Sequence, residues 1–271
     1  MTASVRFPSE QTALLTTHFG DPRWVELLIR RARLAFPGLR NERIFVVDQD
    51  RSDTSTAVLR DRLGAVTILR FAPSEPHIVM TGHDHAHVLN LAVREIDSDY
   101  LLIFDSDAHP VSAAAGDRIA TLAERSDAAL AALGATGTRT HPCFALLGPA
   151  VDRGRLFFDE GQLETGVDTG RMIFDQIQAM GLRAELLRPE PAFGGRWGTF
   201  YLDRTIYHHG SGSFASATDP RLQAQAASWQ REHAFFGSRV FRGSYTLALP
   251  ERLYTSALAL RKQLPRRLAA R

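Results

Sequence analysis

The chain has 271 residues, 44% of them hydrophobic and 23% charged, with a formal net charge of +2. Such a chain can bury one large core, and its small net charge argues against a nucleic-acid partner held by bulk electrostatics. The only cysteine, Cys143, excludes an intrachain disulfide, and the sequence shows neither an apolar run of ~20 residues nor a basic-then-apolar leader. We therefore expect a soluble protein of a reducing, cytoplasmic compartment.

Apolar runs and helical patterns alternate in the first half of the chain. The runs at 12–17, 44–47, 66–71 and 101–104 predict strands. Asp21 is the expected N-cap of a helix that starts at Pro22 and continues to residue 36. Further helical patterns end at Gly64 and cover residues 85–95. Strands separated by helices predict parallel βαβ units in an α/β sheet.

The second half is less regular and ends in a basic segment. We predict a strand over 141–150, a helix over 167–181 that a glycine closes, and a helix that begins at Asp219-Pro220. Residues 252–271 carry six basic residues and no acid. This pattern is typical of a solvated helical tail, with contact to an anionic membrane surface as the alternative.

Two carboxylates, Asp105 and Asp107, follow directly after the predicted strand over 101–104. In an extended chain, residues two apart point to the same side, so both could converge on one cation. Carboxylate oxygens suit Mg²⁺ or Mn²⁺, whereas the alternative interpretation is a solvated polar loop. Ligands of open α/β sheets bind outside the carboxyl ends of the strands, where Thr16 and Asp48 are also predicted to lie.

Two histidine-rich stretches are further candidates. In the stretch TGHDHAH, over 81–87, alternating histidines suggest zinc, but the spacing of further ligands is lacking. In a helix His83 and His87 would share a face without His85, so we favour polar residues that line a helix start near the ligand cleft. The stretch YHHGSGS, over 207–213, is either a solvated loop or a segment that approaches phosphate and adds a nitrogen ligand to the same ion.

Three segments resemble one enzyme family. The stretch LLIFDSDAHP resembles the DxD signature of nucleotide-sugar glycosyltransferases with the GT-A fold, family 2-like. The stretches IFVVDQDRSD and GHDHAHVLNLAVREIDSDYLLIFDSD resemble the second-strand element and the segment before DxD in that family. The resemblance, over about 12–213, implies a single α/β domain with a mostly parallel central sheet flanked by helices. It also implies a Rossmann-like nucleotide-sugar-binding half over 1–110, an acceptor half with a metal-binding loop over 111–215, and a helical basic extension over 216–271.

The resemblance also implies roles for individual residues. Asp107 would be the more direct metal ligand, with Asp105 on the ribose or on the metal through water. His208 would be the third ligand, with His209 as the alternative. The resemblance further implies that Thr16 and Asp48 lie around the nucleotide base and that Asn90 lies near the nucleotide pocket. Asp105 and Ser106 of the DxD are implied to bind the nucleotide sugar as well. The acceptor-activating carboxylate is implied among Asp159, Glu160, Glu164 and Asp168, of which we choose Asp168, although it could instead serve as an N-cap.

The implied activity is transfer of a sugar, with inversion, from a nucleoside diphosphate, expected to be UDP. Mn²⁺ or Mg²⁺ would hold the departing nucleoside diphosphate, and the acceptor would be a glycan, a lipid-linked saccharide or a small molecule. A phosphohydrolase of the haloacid-dehalogenase type is one alternative, although its DxD is usually near the N-terminus and continues to Thr or Val. A nucleotide-sugar-binding protein without catalytic activity is the other. We expect a cytoplasmic location, with contact of the basic tail to the inner membrane face as the alternative to a solvated tail.

Overall fold

The computed structural model describes residues 8–73, 82–133, 139–159, 169–191 and 199–210. Its larger sheet has seven strands in the order β3-β2-β1-β4-β7-β6-β8. The strands of this sheet are β1 Thr12–His18, β2 Ile44–Asp48, β3 Thr67–Leu69, β4 Tyr100–Phe104, β6 Ala128–Leu133, β7 Arg139–Leu147 and β8 Ala184–Leu187. A smaller four-stranded sheet consists of β5 Ala108–Pro110, β9 Glu190–Pro191, β10 Thr199–Tyr201 and β11 Ile206–His208.

Helices cover both faces of the larger sheet. They are α1 Arg23–Ala35, α2 Asp53–Leu63, α3 Gly82–Glu95, α4 Ala114–Arg125 and α5 Ile173–Ala179, with short 3-10 helices at Ser9–Gln11, Asn41–Arg43 and Arg153–Arg155. No helix in the described ranges is both long and apolar enough to cross a membrane.

The larger sheet is mostly parallel, which confirms the predicted fold class. Strands β3, β2, β1 and β4 run parallel, β7 is antiparallel to β4 and β6, and β8 is again parallel to β6. Consecutive residues of β1 face opposite sides, so Leu14 packs with α1, α2 and α4, while Leu15 packs with α3 and α5. Burial on both faces explains why the strands read as continuous apolar runs.

Several predicted boundaries agree with local hydrogen bonds. The helix α1 begins at Arg23 with Pro22 as its N-cap, one residue later than predicted, and the carboxylate of Asp21 accepts from the backbone N–H of Arg23 at 3.0 Å. The Ser52 hydroxyl accepts from the N–H of Ser55 at the start of α2, and Gly64 follows its end with a φ of 73°. The predicted helix over 167–181 is shorter: α5 begins at Ile173, after a turn in which Gly170 has a φ of 76°.

The smaller sheet was not predicted, and it sets the position of the chain after β4. Strand β5 begins at Ala108, directly after the DxD, and pairs antiparallel with β11 so that Ala108 lies opposite His208. Strand β11 then pairs with β10, and β10 with β9. A segment about 100 residues further along the chain is therefore brought to the end of the central strand β4.

Candidate metal centre

Backbone hydrogen bonds fix the DxD between the two sheets. The N–H of Asp105 donates to the carbonyl of Cys143 at 3.1 Å, which extends the β4–β7 ladder by one residue. The N–H of Ala108 donates to the Asp105 carbonyl at 3.0 Å, and the N–H of His209 to the Asp107 carbonyl at 3.0 Å. Both carboxylate-bearing residues are thus anchored by ladder bonds.

His208 meets both carboxylates of the DxD. Its Nε2 lies 3.4 Å from Oδ1 of Asp107 and 3.8 Å from Oδ2 of Asp105. One ligand atom from each of the three residues lies within 4.8 Å of the others. The side chains of Asp107, His208 and Asp105 are 6%, 13% and 20% exposed, so the group opens to solvent mainly on the Asp105 side.

The donor set fits a small divalent cation. Two carboxylates are the usual protein ligands of Mg²⁺ and Mn²⁺, which complete their shells with water and substrate phosphates. An imidazole nitrogen is a normal ligand for borderline cations such as Mn²⁺ but less so for Mg²⁺. Bonds of about 2.0–2.2 Å require ligand atoms no more than about 4.3 Å apart, so a small side-chain adjustment suffices.

His85 is a site residue that the sequence did not identify. Because α3 begins at Gly82, His85 lies in its first turn, and its Nε2 is 3.7 Å from Oδ1 of Asp105. The other ring nitrogen lies 3.4 Å from the Thr17 hydroxyl and 3.4 Å from Oε1 of Gln49. The alternating histidines of the TGHDHAH stretch were the signal, and the helix start does line the site as favoured.

A buried polar network holds the start of α3 against the loop after β2. Asp84 is fully buried and accepts hydrogen bonds from Gln49 at 3.0 Å and from Arg51 at 2.6 Å. Arg51 has a φ of 55°, an uncommon conformation for a residue other than glycine. This network fixes the orientation of the neighbouring His85 beside Asp105.

The residues expected around the nucleotide base lie at the same edge of the sheet. Thr16 is fully buried in β1, opposite Val46 on one side and Phe104 on the other. Asp48 is also fully buried, and its carboxylate accepts from the hydroxyls of Ser55 at 2.9 Å and Thr56 at 2.7 Å. Contact of Thr16 and Asp48 with a base stays a prediction.

A second cluster with ligand-type side chains surrounds Asp48. His18, Asp48 and Asp50 also place one ligand atom each within 4.8 Å of the others. His18 is 2% exposed, its Nε2 lies 3.5 Å from Asp50, and its Nδ1 has no hydrogen-bond partner in the described ranges. Burial lowers the pKa of His18 below its ordinary value, against the opposing effect of Asp50, Asp48 and Asp21.

Two further residues, Asn90 and Ser106, were predicted on the nucleotide side of the site. The side-chain amide of Asn90 donates through Nδ2 to the Phe158 carbonyl at 2.9 Å and accepts through Oδ1 from the Phe158 N–H at 2.7 Å, so Asn90 ties α3 to that segment. Its place in the nucleotide pocket stays a prediction. Ser106, which lies between the two aspartates in the sequence, is half-buried.

The acceptor-activating carboxylate falls largely outside the described residues. Asp168, Glu160 and Glu164 all belong to the undescribed range 160–168. Asp159 accepts from the Arg171 side chain at 3.1 Å and from the backbone N–H of Met172 at 3.1 Å, just before α5. The choice of Asp168 stays a prediction.

The neighbouring histidines 208 and 209 face different surroundings. His209 is 7% exposed, and its Nε2 lies 3.0 Å from Nε2 of His109. Its ring also packs against Trp24 and Tyr207. Of the two candidates for the third ligand, His208 is the one that the structure brings to the carboxylates.

Solved structures with a similar fold include two glycosyltransferases. TarS from S. aureus matches 89% of this chain over 46% of its own, at 13% identity and a TM-score of 0.50. TarS 1–349 in complex with UDP-GlcNAc matches 89% over 77%, at 13% identity and a TM-score of 0.48. Mannosyltransferase PcManGT from Pyrobaculum calidifontis, in complex with GDP-Man and Mn²⁺, matches 92% over 84%, at 14% identity and a TM-score of 0.45.

Similarity at the sequence level is lacking. No protein-family model matches the sequence, and no curated protein matches it. The likeness to TarS shows the fold alone, and this GT-A-like fold is the one that the DxD segments implied.

Proposed function

We propose that this protein is a metal-dependent glycosyltransferase that moves a sugar from a nucleoside-diphosphate donor to an acceptor hydroxyl. One observation carries the proposal: His208, a hundred residues beyond the DxD, meets both of its carboxylates at 3.4 and 3.8 Å. A solvated polar loop does not explain why a distant histidine lies beside both carboxylates. A metal site in a GT-A-like fold does explain it, because the histidine and the two carboxylates would bind one ion. The fold itself is compatible with several functions, so the site carries the argument.

The three ligands suit Mn²⁺ or Mg²⁺ next to a diphosphate. Asp107, the least exposed of the three, is the principal ligand in this proposal, and Asp105, which lies beside His85, is assigned to the ribose or to the metal through water. When bound, the cation neutralises charge that develops on the departing nucleoside diphosphate. Ser106, between the carboxylates, is assigned to the same donor.

The remaining roles concern donor and acceptor recognition. We assign the base to the edge formed by Thr16 and Asp48, with Asn90 supporting the pocket from α3, and take UDP as the donor nucleotide. Asp168 is proposed as the base that accepts the proton of the acceptor hydroxyl while the oxygen attacks the anomeric carbon. Attack from the side opposite the leaving diphosphate inverts that carbon, which carries oxocarbenium-like charge in the transition state.

The proposal also covers the acceptor and the location of the protein. We propose a glycan, a lipid-linked saccharide or a small-molecule hydroxyl as the acceptor. The basic segment after Glu251 lies outside the described residues, and we propose that it contacts anionic lipid at the cytoplasmic face of the inner membrane.

Thermal unfolding with and without nucleotide tests the proposal. We expect nucleoside diphosphates to raise the unfolding temperature strongly only when Mn²⁺ or Mg²⁺ is present, because the ion links protein and phosphates. Asp107→Asn is the variant that should lose this metal-dependent shift. No shift from any nucleoside diphosphate, or one equally large in excess chelator, would overturn the proposal.

A further inference from the structure

Strand β7 carries a bulge beside the metal centre. Leu130 of β6 pairs with Ala145, but the next residue, Ala131, pairs with His141, so β7 has three extra residues at this point. Pro142 lies in the bulge, which suits a residue that has no backbone N–H to donate. Bulges bend a strand and redirect its side chains, and they are common next to active sites.

The bulge brings two ligand-type side chains to His208. His141 is 8% exposed and Cys143 is fully buried. One ligand atom each of His141, Cys143 and His208 lies within 4.8 Å of the others. The rings of His141 and His208 stack edge to face, with centroids 4.7 Å apart. His208 therefore lies between two ligand sets, one with carboxylates and one with a thiol.

The two ligand sets differ in the cations that they select. Carboxylate oxygens suit hard cations such as Mg²⁺ and Mn²⁺, whereas a thiolate with two imidazoles suits Zn²⁺ and other thiophilic ions. Three such protein ligands are sufficient for Zn²⁺, which completes a tetrahedral shell with water or substrate. Because Cys143 binds metal as the thiolate, its proton passes to solvent on binding.

We propose that His141, Cys143 and His208 form a second metal site, for a thiophilic divalent cation of the Zn²⁺ class. Occupation of this site engages the His208 ring and so weakens the binding of a hard cation by Asp105 and Asp107. Zn²⁺ binding itself is independent of the glycosyltransferase proposal, whereas its inhibitory consequence rests on that proposal. The bulge in β7 is thereby a regulatory element as well as a structural one.

Cobalt is the probe for the site, because a thiolate bound to Co²⁺ gives a charge-transfer band in the near ultraviolet. Cys143 is the only cysteine, so such a band reports on this residue alone. We expect the band to saturate at one Co²⁺ per chain, to disappear on addition of Zn²⁺, and to be absent in Cys143→Ser. Circular dichroism checks that each variant is folded.

Variants of the two histidines separate the cluster from a thiol that binds metal alone. His141→Ala and His208→Ala should each weaken Co²⁺ binding by at least about tenfold, since even outer-shell partners of metal ligands cost about that much. Asp107→Asn and His209→Ala are the matched controls and should retain the band. Absence of the band from the wild type, or a band unaffected by both histidine substitutions, overturns the site.

A Mn²⁺ titration tests the competition between the two sites. One equivalent of Zn²⁺ should lower Mn²⁺ affinity by at least about tenfold in the wild type, and much less in Cys143→Ser, if the two ions share His208. Undiminished Mn²⁺ affinity in the zinc-loaded wild type contradicts the competition. A wild type that binds no Mn²⁺ at all contradicts the glycosyltransferase proposal instead, and leaves the cobalt result standing.

Discussion

Two clusters of two aspartates and one histidine lie at the same edge of the sheet, yet they differ in what surrounds the carboxylates. In the first, Asp105 and Asp107 face the imidazole of His208 at 3.8 and 3.4 Å. In the second, the Asp48 carboxylate accepts from two hydroxyls at the start of α2. We call these the DxD cluster and the Asp48 cluster, the latter with His18 and Asp50.

The comparison indicates that the surroundings of ligand-type atoms, together with their proximity, decide which cluster is suited to a metal ion. Hydroxyl donors already stabilise the negative charge of Asp48, and full burial keeps it from solvent and from phosphates. The DxD cluster instead lies beside His85 and opens to solvent through Asp105, which is 20% exposed. The DxD cluster is therefore suited to binding an ion, whereas the hydrogen bonds that Asp48 accepts hold the start of α2 on the sheet.

The same substitution in both clusters should separate them most clearly. Asp107→Asn should lower Mn²⁺ affinity by more than about a hundredfold, since even outer-shell partners of metal ligands cost about ten- to a hundredfold. Asp48→Asn should leave Mn²⁺ affinity nearly unchanged. Calorimetric titration measures the Mn²⁺ affinity of each variant. An equal loss of affinity in the two variants would contradict the assignment of the metal to the DxD cluster alone.

The histidine of the DxD cluster gives the next largest effect. His208→Ala should weaken Mn²⁺ binding about ten- to a hundredfold when a nucleoside diphosphate is present, because the ion loses one of its three protein ligands. His209→Ala, next in sequence but packed against His109, is the control. A haloacid-dehalogenase-type phosphatase gives this histidine no metal role, so unchanged affinity in His208→Ala would favour that alternative.

Asp48→Asn and Asp107→Asn should rank in the opposite order by their effect on the free energy of unfolding. Asp48→Asn should lower the free energy of unfolding by about 1–3 kcal/mol, because it disturbs two buried hydrogen bonds to a charged group. Asp107→Asn in chelator should cost less, since it relieves repulsion between two carboxylates. Urea denaturation of both variants without metal tests this order, and a larger loss for Asp107→Asn would contradict it.

The smallest effect is the pH dependence of stability contributed by His18. Its pKa in the folded state lies below the ordinary 6.5, so below that pH the unfolded chain binds a proton that the folded chain resists. The free energy of unfolding should therefore be highest above pH 6.5 and fall as the pH drops through the range between the two pKa values. His18→Gln should show a shallower fall in urea denaturation. Parallel curves for the two proteins would mean that His18 contributes nothing.

Much of the larger sheet could be predicted from sequence because its strands are buried on both faces. The apolar runs at 44–47 and 101–104 correspond to β2 and β4 almost residue for residue. The position of the DxD at a strand exit followed from the same pattern. Long-range pairing was beyond this reasoning, because strands of two or three residues, such as β9 and β11, are too short to show a period.

The identity of the site residues depends on the register of β5 against β11 and on the residue at which α3 begins. A slip of one residue between β5 and β11 would exchange His208 for His209, and nothing local in YHHGSGS sets that register. His85 was missed because α3 starts three residues earlier than predicted, which puts its ring in the first turn beside Asp105. His141 and Cys143 were missed because only the long-range placement of β7 beside β11 brings them to His208, and the sequence does not give that placement.

The central claim is that Asp105, Asp107 and His208 hold a divalent cation that contacts the donor diphosphate. Pulsed electron paramagnetic resonance of bound Mn²⁺, with a nucleoside diphosphate added, tests it most directly. We predict phosphorus couplings from the nucleotide together with a nitrogen coupling that disappears in His208→Ala and persists in His209→Ala. Mn²⁺ spectra without phosphorus coupling, or with the same nitrogen coupling in His208→Ala, would contradict the claim.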